Sequence, residues 1–345
     1  MEGSRPTYRR YVGIDVAADT FTAAWQSPDG PPTAPFTGEQ SRSGYATLQR
    51  RLREGAVPAA ATLVVLEATG NYWVALAVAL HEAGYQVAVV NPRRAHHFAK
   101  AQLRRAKTDA LDARDLAQLA AALQPAPWAP PPAVYHEARQ RLVARDALLA
   151  TRTQLRNQRH ALLQWPVVVD AVRQHLDELI ADLDRRVAAL QSELAAVLAA
   201  SDWAESLACL TSAPGIGLVT ASWLLVGTLN FTLCAQATAL TAYAGLAPVP
   251  RESGRSIRGR PSIGHDGNAR LRTALYMATL SAARYNPAIR AFYQRLRAAG
   301  KPQKVARCAA ARKLLHLAWA LGTKLQRFDP DHKQQQHDAL PELAA

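Results

Sequence analysis

The stretch Lys107-Thr108-Asp109-Ala110-Leu111-Asp112-Ala113 reads as the opening of a helix, with Arg104 and Arg105 before it and Ala/Leu-rich sequence after it. Asp109 and Asp112 are three residues apart and so share a helix face. Two neighbouring carboxylates repel unless a cation lies between them, and a divalent metal is one reading of the pair. The other is that both acids favour the positive helix N-terminus, with Asp109 in the first turn. The pair alone does not choose between these; the positions of two further acids, Asp15 and Glu67, bear on the choice.

The elements that must position these acids follow from apolar patterning. Tyr11–Val16 and Thr20–Trp25 read as strands joined through the Ala17–Asp19 turn, with a shorter strand near Pro35-Phe36-Thr37. Tyr45 to Arg53 has helical spacing. Ala61–Leu66 is a continuous apolar run, as expected of a strand buried on both faces, and ends in Glu67. A helix from Tyr72 to about Ala83, a strand at Gln86–Val90 stopped by Asn91-Pro92, and the Asp109 helix to about Leu123 complete the segment. Three strands, helix, strand, helix, strand, helix is the order of an α/β ribonuclease-H-like fold. In that fold the strands ending in Asp15 and Glu67 are parallel neighbours, so both acids reach one edge of the sheet and the Asp109/Asp112 helix can pack across it. Four acids there could hold two hard cations about 4 Å apart, the arrangement of a phosphoryl-transfer clamp.

Composition points to the partner. The chain has 345 residues, long enough for two domains, with 41 Lys+Arg against 27 Asp+Glu and a formal net charge of +14. Its isoelectric point near 10.1 favours a polyanion, and nucleic acid is the first candidate. No basic amphipathic helix or lipidation signal marks a membrane-surface protein, and no apolar run reaches membrane-spanning length. The N-terminus lacks a signal-peptide core. Cys209, Cys234 and Cys308 are isolated, without metal-type spacing, and suit a reduced, cytoplasmic compartment.

Residues 124–132, Gln-Pro-Ala-Pro-Trp-Ala-Pro-Pro-Pro, read as a semi-rigid linker. Beyond it lie helical stretches at Ala133–Leu163 and Asp170–Ala200. The second carries a three-and-four apolar seam from Val172 to Val197, as in a coiled coil; the first is rich in arginine and the second in acids. Such a hairpin is either self-contained or an arm that meets another subunit or a nucleic-acid backbone. Pro214-Gly215-Ile216-Gly217 between two helices has the helix–hairpin–helix pattern, in which Gly215 and Gly217 let backbone N–H groups approach a phosphate. The stretch from Tyr243 to Arg272 reads as a Gly/Pro loop carrying Arg251, Arg255, Arg258, Arg260, Arg270 and Arg272, which suits a phosphate nearby. Ser253, Ser256 and Ser262 lie on it. A serine there either hydrogen-bonds phosphate or attacks it, and His265 is the one nearby imidazole.

Gly13-Ile14-Asp15-Val16, Leu66-Glu67-Ala68-Thr69-Gly70, the Lys107–Ala113 stretch and the Gly245-Leu246-Ala247-Pro248…Ser253-Gly254 pattern together resemble the DEDD transposases of bacterial insertion sequences. The resemblance runs from about Tyr11 to Lys324. It implies a RuvC-like metal-binding catalytic domain over residues 1–125, a linker and coiled-coil hairpin over 126–200, and a mostly helical transposase domain over 201–328, followed by a frayed tail over 329–345. It further implies catalysis by Asp15, Glu67, Asp109 and Asp112 with Mg²⁺ or Mn²⁺, and by Ser253 through a phosphoserine–DNA link. Lys107, Gly215, Gly217 and the six arginines are the expected nucleic-acid contacts. Expected partners are donor and target DNA, a bridge (guide) RNA and further copies of the chain in a dimer or tetramer, in a bacterial cytoplasm on the nucleoid. The competing expectations are a metal-dependent junction nuclease with no covalent intermediate and a non-catalytic nucleic-acid-binding protein.

Overall fold

A computed structural model of the chain describes residues 8–101, 109–253, 257–264 and 266–331. The chain divides into two units, Met1–Pro130 and Pro131–Ala345, and the division falls inside the proline-rich stretch.

In the first unit β1 (Arg10–Val16), β2 (Thr20–Gln26) and β3 (Phe36–Glu39) form an antiparallel meander, followed by α1 (Arg42–Arg53). Then come β4 (Thr62–Glu67), α2 (Trp73–Glu82) and β5 (Gln86–Val90), with β4 parallel to β1 and β5 parallel to β4. The sheet order β3-β2-β1-β4-β5 is consistent with an RNase H-like domain. Alternation divides the core into two layers. Val12, Ile14, Val64 and Leu66 pack with Leu48, Leu52, Leu76 and Leu80 of α1 and α2. Tyr11, Leu63, Val65 and Ala88 face the other way, onto Leu116, Leu119 and Ala120 of α4 (Asp109–Leu123).

One element departs from the expectation. Asn91-Pro92 stops β5 but also starts α3 (Pro92–Ala101), a helix that apolar patterning does not reveal. The Asn91 side chain accepts a hydrogen bond from the Arg93 amide at 2.9 Å, and Pro92 at the first helical position loses no bond it could have made. The residues that end the strand therefore begin the helix.

The second unit opens with α5 (Ala133–Leu162) and α6 (Asp170–Ala199). Arg141 pairs with Glu193 (3.2 Å), Arg152 and Arg156 with Asp184, and Arg159 with Asp177, so the helices run antiparallel. Hydrogen bonding from Arg152 and its positive charge, with Arg156 beside it, hold the Asp184 carboxyl below its ordinary range. Val134, Ala138, Leu142, Leu194 and Leu198 bury the base of this pair in the second unit's core. Towards the far end the expected seam opens, with Leu179 52% and Val172 46% exposed. Then follow α7 (Ala204–Thr211), α8 (Leu218–Thr228) and α9 (Ala237–Tyr243).

The expected Gly/Pro loop is instead mostly regular. β6 (Pro248–Ser253) and β7 (Ile257–Ile263) form a two-stranded antiparallel ribbon with Glu252 opposite Arg258 and Ser253 opposite Ile257. Its prolines are tolerated because an isolated ribbon has two edges, where a missing N–H costs no ladder bond. The chain continues as α10 (Ala269–Tyr285), α11 (Pro287–Ala298) and α12 (Gln303–Lys324), whose Leu271, Leu275, Leu314 and Leu315 are fully buried. Among the described residues no single helix is long and apolar enough to cross a membrane.

Candidate active site

Asp15 and Glu67 reach one sheet edge because β1 and β4 are parallel and in register. Ile14 pairs with Leu66, and each acid is the next residue on its strand. By alternation both stand on the face that carries Gly13, Leu63 and Val65, the face that α4 covers. The helix runs antiparallel to β1. Gln124, just past its C-terminus, donates to the Tyr11 hydroxyl at 2.9 Å, and its middle crosses Gly13. Continuing in that sense brings its first turn, with Asp109 and Asp112, to the Asp15 end of β1. Asp112 is half-buried and one turn before the buried Leu116; the side chain of Asp109 lies outside the described residues.

Gly13 sets this approach. A Cβ there would sit against Ala117 N, Ala113 O and Leu116 C (2.6 Å for the last), all backbone atoms of α4. No side chain can rotate aside to make room, so only glycine lets the helix lie this close.

The segments that follow the two acid-bearing strands are also tied to each other. The Gln40 amide donates to Ala17 O at 3.2 Å and to Tyr72 O at 3.0 Å, one just past β1 and the other just before α2. Its oxygen accepts from the Tyr45 hydroxyl at 2.6 Å, which orients the amide. Glu67 itself accepts from the Thr69 hydroxyl at 2.9 Å inside the turn that Gly70 completes with φ +59. The donor chemistry suits a hard cation, since carboxylate oxygens are what such an ion takes. Among the described residues, which leave out the Asp109 carboxyl, no group of three or more His, Cys, Asp or Glu is gathered tightly enough to hold a metal.

In the second unit Ser253 ends β6 at the tip of the ribbon. The base of the ribbon is clamped. Gly245 (φ +68) and Gly267 (φ +86) lie back to back, and a Cβ on Gly267 would meet Gly245 N at 2.6 Å and Tyr243 O at 2.7 Å. Arg272 donates to Asp266 O at 2.8 Å and reaches Ala244 O at 3.5 Å, so it holds this base together. Arg270 pairs with Asp146 of α5 at 3.1 Å and stacks over Trp223. Both arginines expected at nucleic acid thus have intramolecular partners. Arg251, Arg258 and Arg260 lie on the ribbon strands; Arg255, Lys107, Ser256 and His265 lie outside the described residues.

The two glycines of the Pro-Gly-Ile-Gly turn differ. Gly215 has φ +99, and a Cβ on it would meet Ala282 Cα of α10 at 2.7 Å, so packing accounts for it. Gly217 is the exposed N-cap of α8 with nothing within 4 Å of a Cβ and no side-chain cap on the helix, so packing does not account for it. Desolvation pushes the thiols of Cys209, Cys234 and Cys308 above the ordinary thiol range.

Gly13 and Gln40 are site-building residues that motifs alone do not single out. Gly13 sits inside a motif, and a glycine within a buried strand is a known sign of close backbone approach. Gln40 carries no signal, because what matters is two carbonyls distant in sequence.

Residues 12–165 match the family model DEDD_Tnp_IS110, described as "Transposase", and residues 207–294 match "Transposase IS116/IS110/IS902 family". The chain is 31% identical over 327 residues to the pilin gene-inverting protein of Moraxella bovis, covering 93% of this chain and 98% of that one. It is 32% identical to the protein of the same name from Moraxella lacunata, with the same coverage. An uncharacterized 43.6 kDa protein of insertion element IS110 from Streptomyces coelicolor is 38% identical over 112 residues, 32% of this chain and 27% of that one.

Proposed function

The chain belongs to the IS110/IS116/IS902 transposase family and is a DNA transposase or recombinase, and from this premise we propose that it cuts and rejoins DNA through a phosphoserine intermediate on Ser253. The observation that carries the metal half of this reading is the lie of α4 across Gly13, which brings Asp112 and the start of the helix to the sheet edge where Asp15 and Glu67 end their strands. Asp15, Glu67, Asp109 and Asp112 are the residues that would hold the divalent cation a DEDD domain requires, here Mg²⁺. When bound, it supplies positive charge to the transferring phosphate and the leaving 3′ oxygen.

The serine hydroxyl gives up its proton as Oγ attacks phosphorus, the bond to the 3′ oxygen breaks, and that oxygen takes up a proton and leaves as a hydroxyl, so no proton is gained or lost overall. The new phosphoserine ester keeps the bond energy, so a 3′ hydroxyl of another strand can attack it, restore a phosphodiester and free the serine. Arg251, Arg255, Arg258 and Arg260 screen the phosphate during both steps. Placing Ser253 at the tip of a ribbon anchored at its base gives it reach without loosening the fold. Full-length relatives named for gene inversion support strand exchange over cleavage alone. A bridge RNA supplies the choice of sequence, and a dimer or tetramer supplies two or more serines for exchange.

The direct test incubates purified protein with donor and target DNA, RNA transcribed from beside its gene, and Mg²⁺ or EDTA. Joined product that needs both RNA and metal supports the reading; cut but unjoined DNA, with no protein attached, overturns it in favour of a nuclease. Asp15→Asn, Glu67→Gln and Asp112→Asn are each expected to slow cleavage by about a hundredfold or more while leaving DNA retention in gel shifts unchanged.

Gln40→Ala removes the tie between the segments that follow β1 and β4. It is expected to cost about 1 kcal/mol of stability and to raise the Mg²⁺ concentration for half-maximal cleavage by about tenfold, the effect of loosening supporting groups around a metal. Gln40→Glu keeps the size and the Tyr45 bond but sets a carboxylate against two carbonyls, and should behave alike. An unchanged Mg²⁺ midpoint in both variants would show that the amide only supports the fold.

A further inference from the structure

Between Gly267 and Phe328 the chain contains thirteen Lys and Arg and not one Asp or Glu. This span is α10, α11 and α12, which pack on one another. Thirteen charges of the formal +14 excess therefore lie in this carboxylate-free span, eleven of them on the three mutually packed helices and two, Lys301 and Arg327, beside them. Some of these cations are engaged internally: Arg270 on Asp146, Arg272 on two carbonyls, and Lys313 on Ala288 O at 3.2 Å.

Three others stand together elsewhere on these helices. Arg284 of α10, Arg290 of α11 and Arg307 of α12 line one hollow of about 300 Å³, together with Tyr293 and Thr279. Among the described residues none of the three makes an ion pair, and Arg284 stacks only on the ring of its neighbour Tyr285. Guanidinium groups from three separate helices around one opening repel each other unless an anion sits among them. Their flat forks, turned to one space, match phosphate oxygens.

The hollow is held open by its frame. Asn286, wholly buried at the corner between α10 and α11, caps α11 by accepting from the Ile289 amide at 3.2 Å. The same side chain donates to Pro214 O at 3.3 Å, in the turn whose Gly215 packs on Ala282. The corner carrying Arg284 and Arg290 is thus locked onto a second element, and a ligand finds it already assembled.

We propose that this hollow, at the meeting of α10, α11 and α12, is a docking site for the phosphodiester backbone of a nucleic acid, with Arg284, Arg290 and Arg307 as its phosphate ligands. It holds the strand without reading bases. The inference rests on the family's handling of nucleic acid but not on the serine chemistry or on the metal.

The test is equilibrium binding by the full-length chain in EDTA, which stops the chemistry, across a salt series. The probes are a short duplex DNA of arbitrary sequence and a hairpin RNA of similar length. Arg284→Gln with Arg290→Gln is expected to lower affinity by about tenfold or more. It should also reduce the slope of log K against log salt by about two, one for each phosphate no longer neutralised. Arg307→Gln alone, checked by thermal melting for an intact fold, should reduce the slope by about one. Arg185→Gln with Arg186→Gln on α6, where both arginines pair with Asp182, removes equal charge and should leave the slope unchanged. A loss confined to the duplex assigns the hollow to DNA, and one confined to the hairpin assigns it to RNA. An unchanged slope with both probes, or an equal drop in the α6 control, overturns the proposal. Because no cleavage is scored, failure of Ser253 to act as a nucleophile would leave this result standing.

Discussion

Ser253→Ala is expected to leave DNA binding intact, to remove every protein–DNA adduct from denaturing gels and to lower strand joining by at least about a thousandfold. The size follows from the role. Binding rests on many arginines and survives the loss of one hydroxyl, whereas a covalent pathway has no substitute for the atom that forms the bond. Ser256→Ala and Ser262→Ala serve as controls, since both serines lie near Ser253 in sequence. Ser253→Cys is the informative companion, because a thiol keeps a nucleophile in place and should leave a trapped adduct even where joining fails. If Ser253→Ala still yields adduct, another side chain attacks. If it yields joined product with no adduct at all, no covalent intermediate exists.

The second large effect is expected at a residue with no side chain. Gly13→Ala forces a methyl against the backbone of α4 at Ala113, Leu116 and Ala117, and backbone atoms cannot swing away. Overpacking of this kind costs about 3 kcal/mol at its upper end, on the order of 10 °C in the melting temperature of a unit this size. Relief comes only from lifting the helix, and lifting it carries Asp112 and the Asp109 end of α4 away from Asp15 and Glu67. A shift of about 1 Å at a catalytic group lowers rate by about a hundredfold. Cleavage should therefore fall more than the folded fraction does, and excess Mg²⁺ should restore part of it. The control is Gly84→Ala at the end of α2, where φ is +87 and the nearest atom is 3.8 Å from a Cβ. That change strains the backbone and lowers melting, with no added requirement for metal. Equal Mg²⁺ dependence in both variants would mean that α4 does not position the acids.

Much of the first unit was legible from composition and period alone. Leu63–Leu66 is apolar throughout because both faces of β4 are covered, and β1 and β2 of the meander show as short apolar runs that are buried almost throughout. Each run also carries its acid at or next to its end, Asp15 one residue before the close of β1 and Glu67 at the close of β4, where a carboxylate need not be buried. Family motifs marked Ser253 and the acids by type and order. Chain order says which residues are near in sequence, and local physics says which segments bury a face.

Only the tertiary structure decided what lies against what. It turned a proline-rich stretch into the ribbon that carries Ser253, because pairing between β6 and β7 outweighs the poor strand propensity of either segment. It made Asn91-Pro92 a helix start, tied Arg270 and Arg272 to Asp146 and to backbone carbonyls, and set Gly215 against Ala282. It also linked the segments that follow the two acid-bearing strands through Gln40 and gathered Arg284, Arg290 and Arg307 at one hollow. In each case the deciding partner is far away along the chain, and a charge or a glycine looks the same in sequence whether it meets a ligand or another part of its own fold.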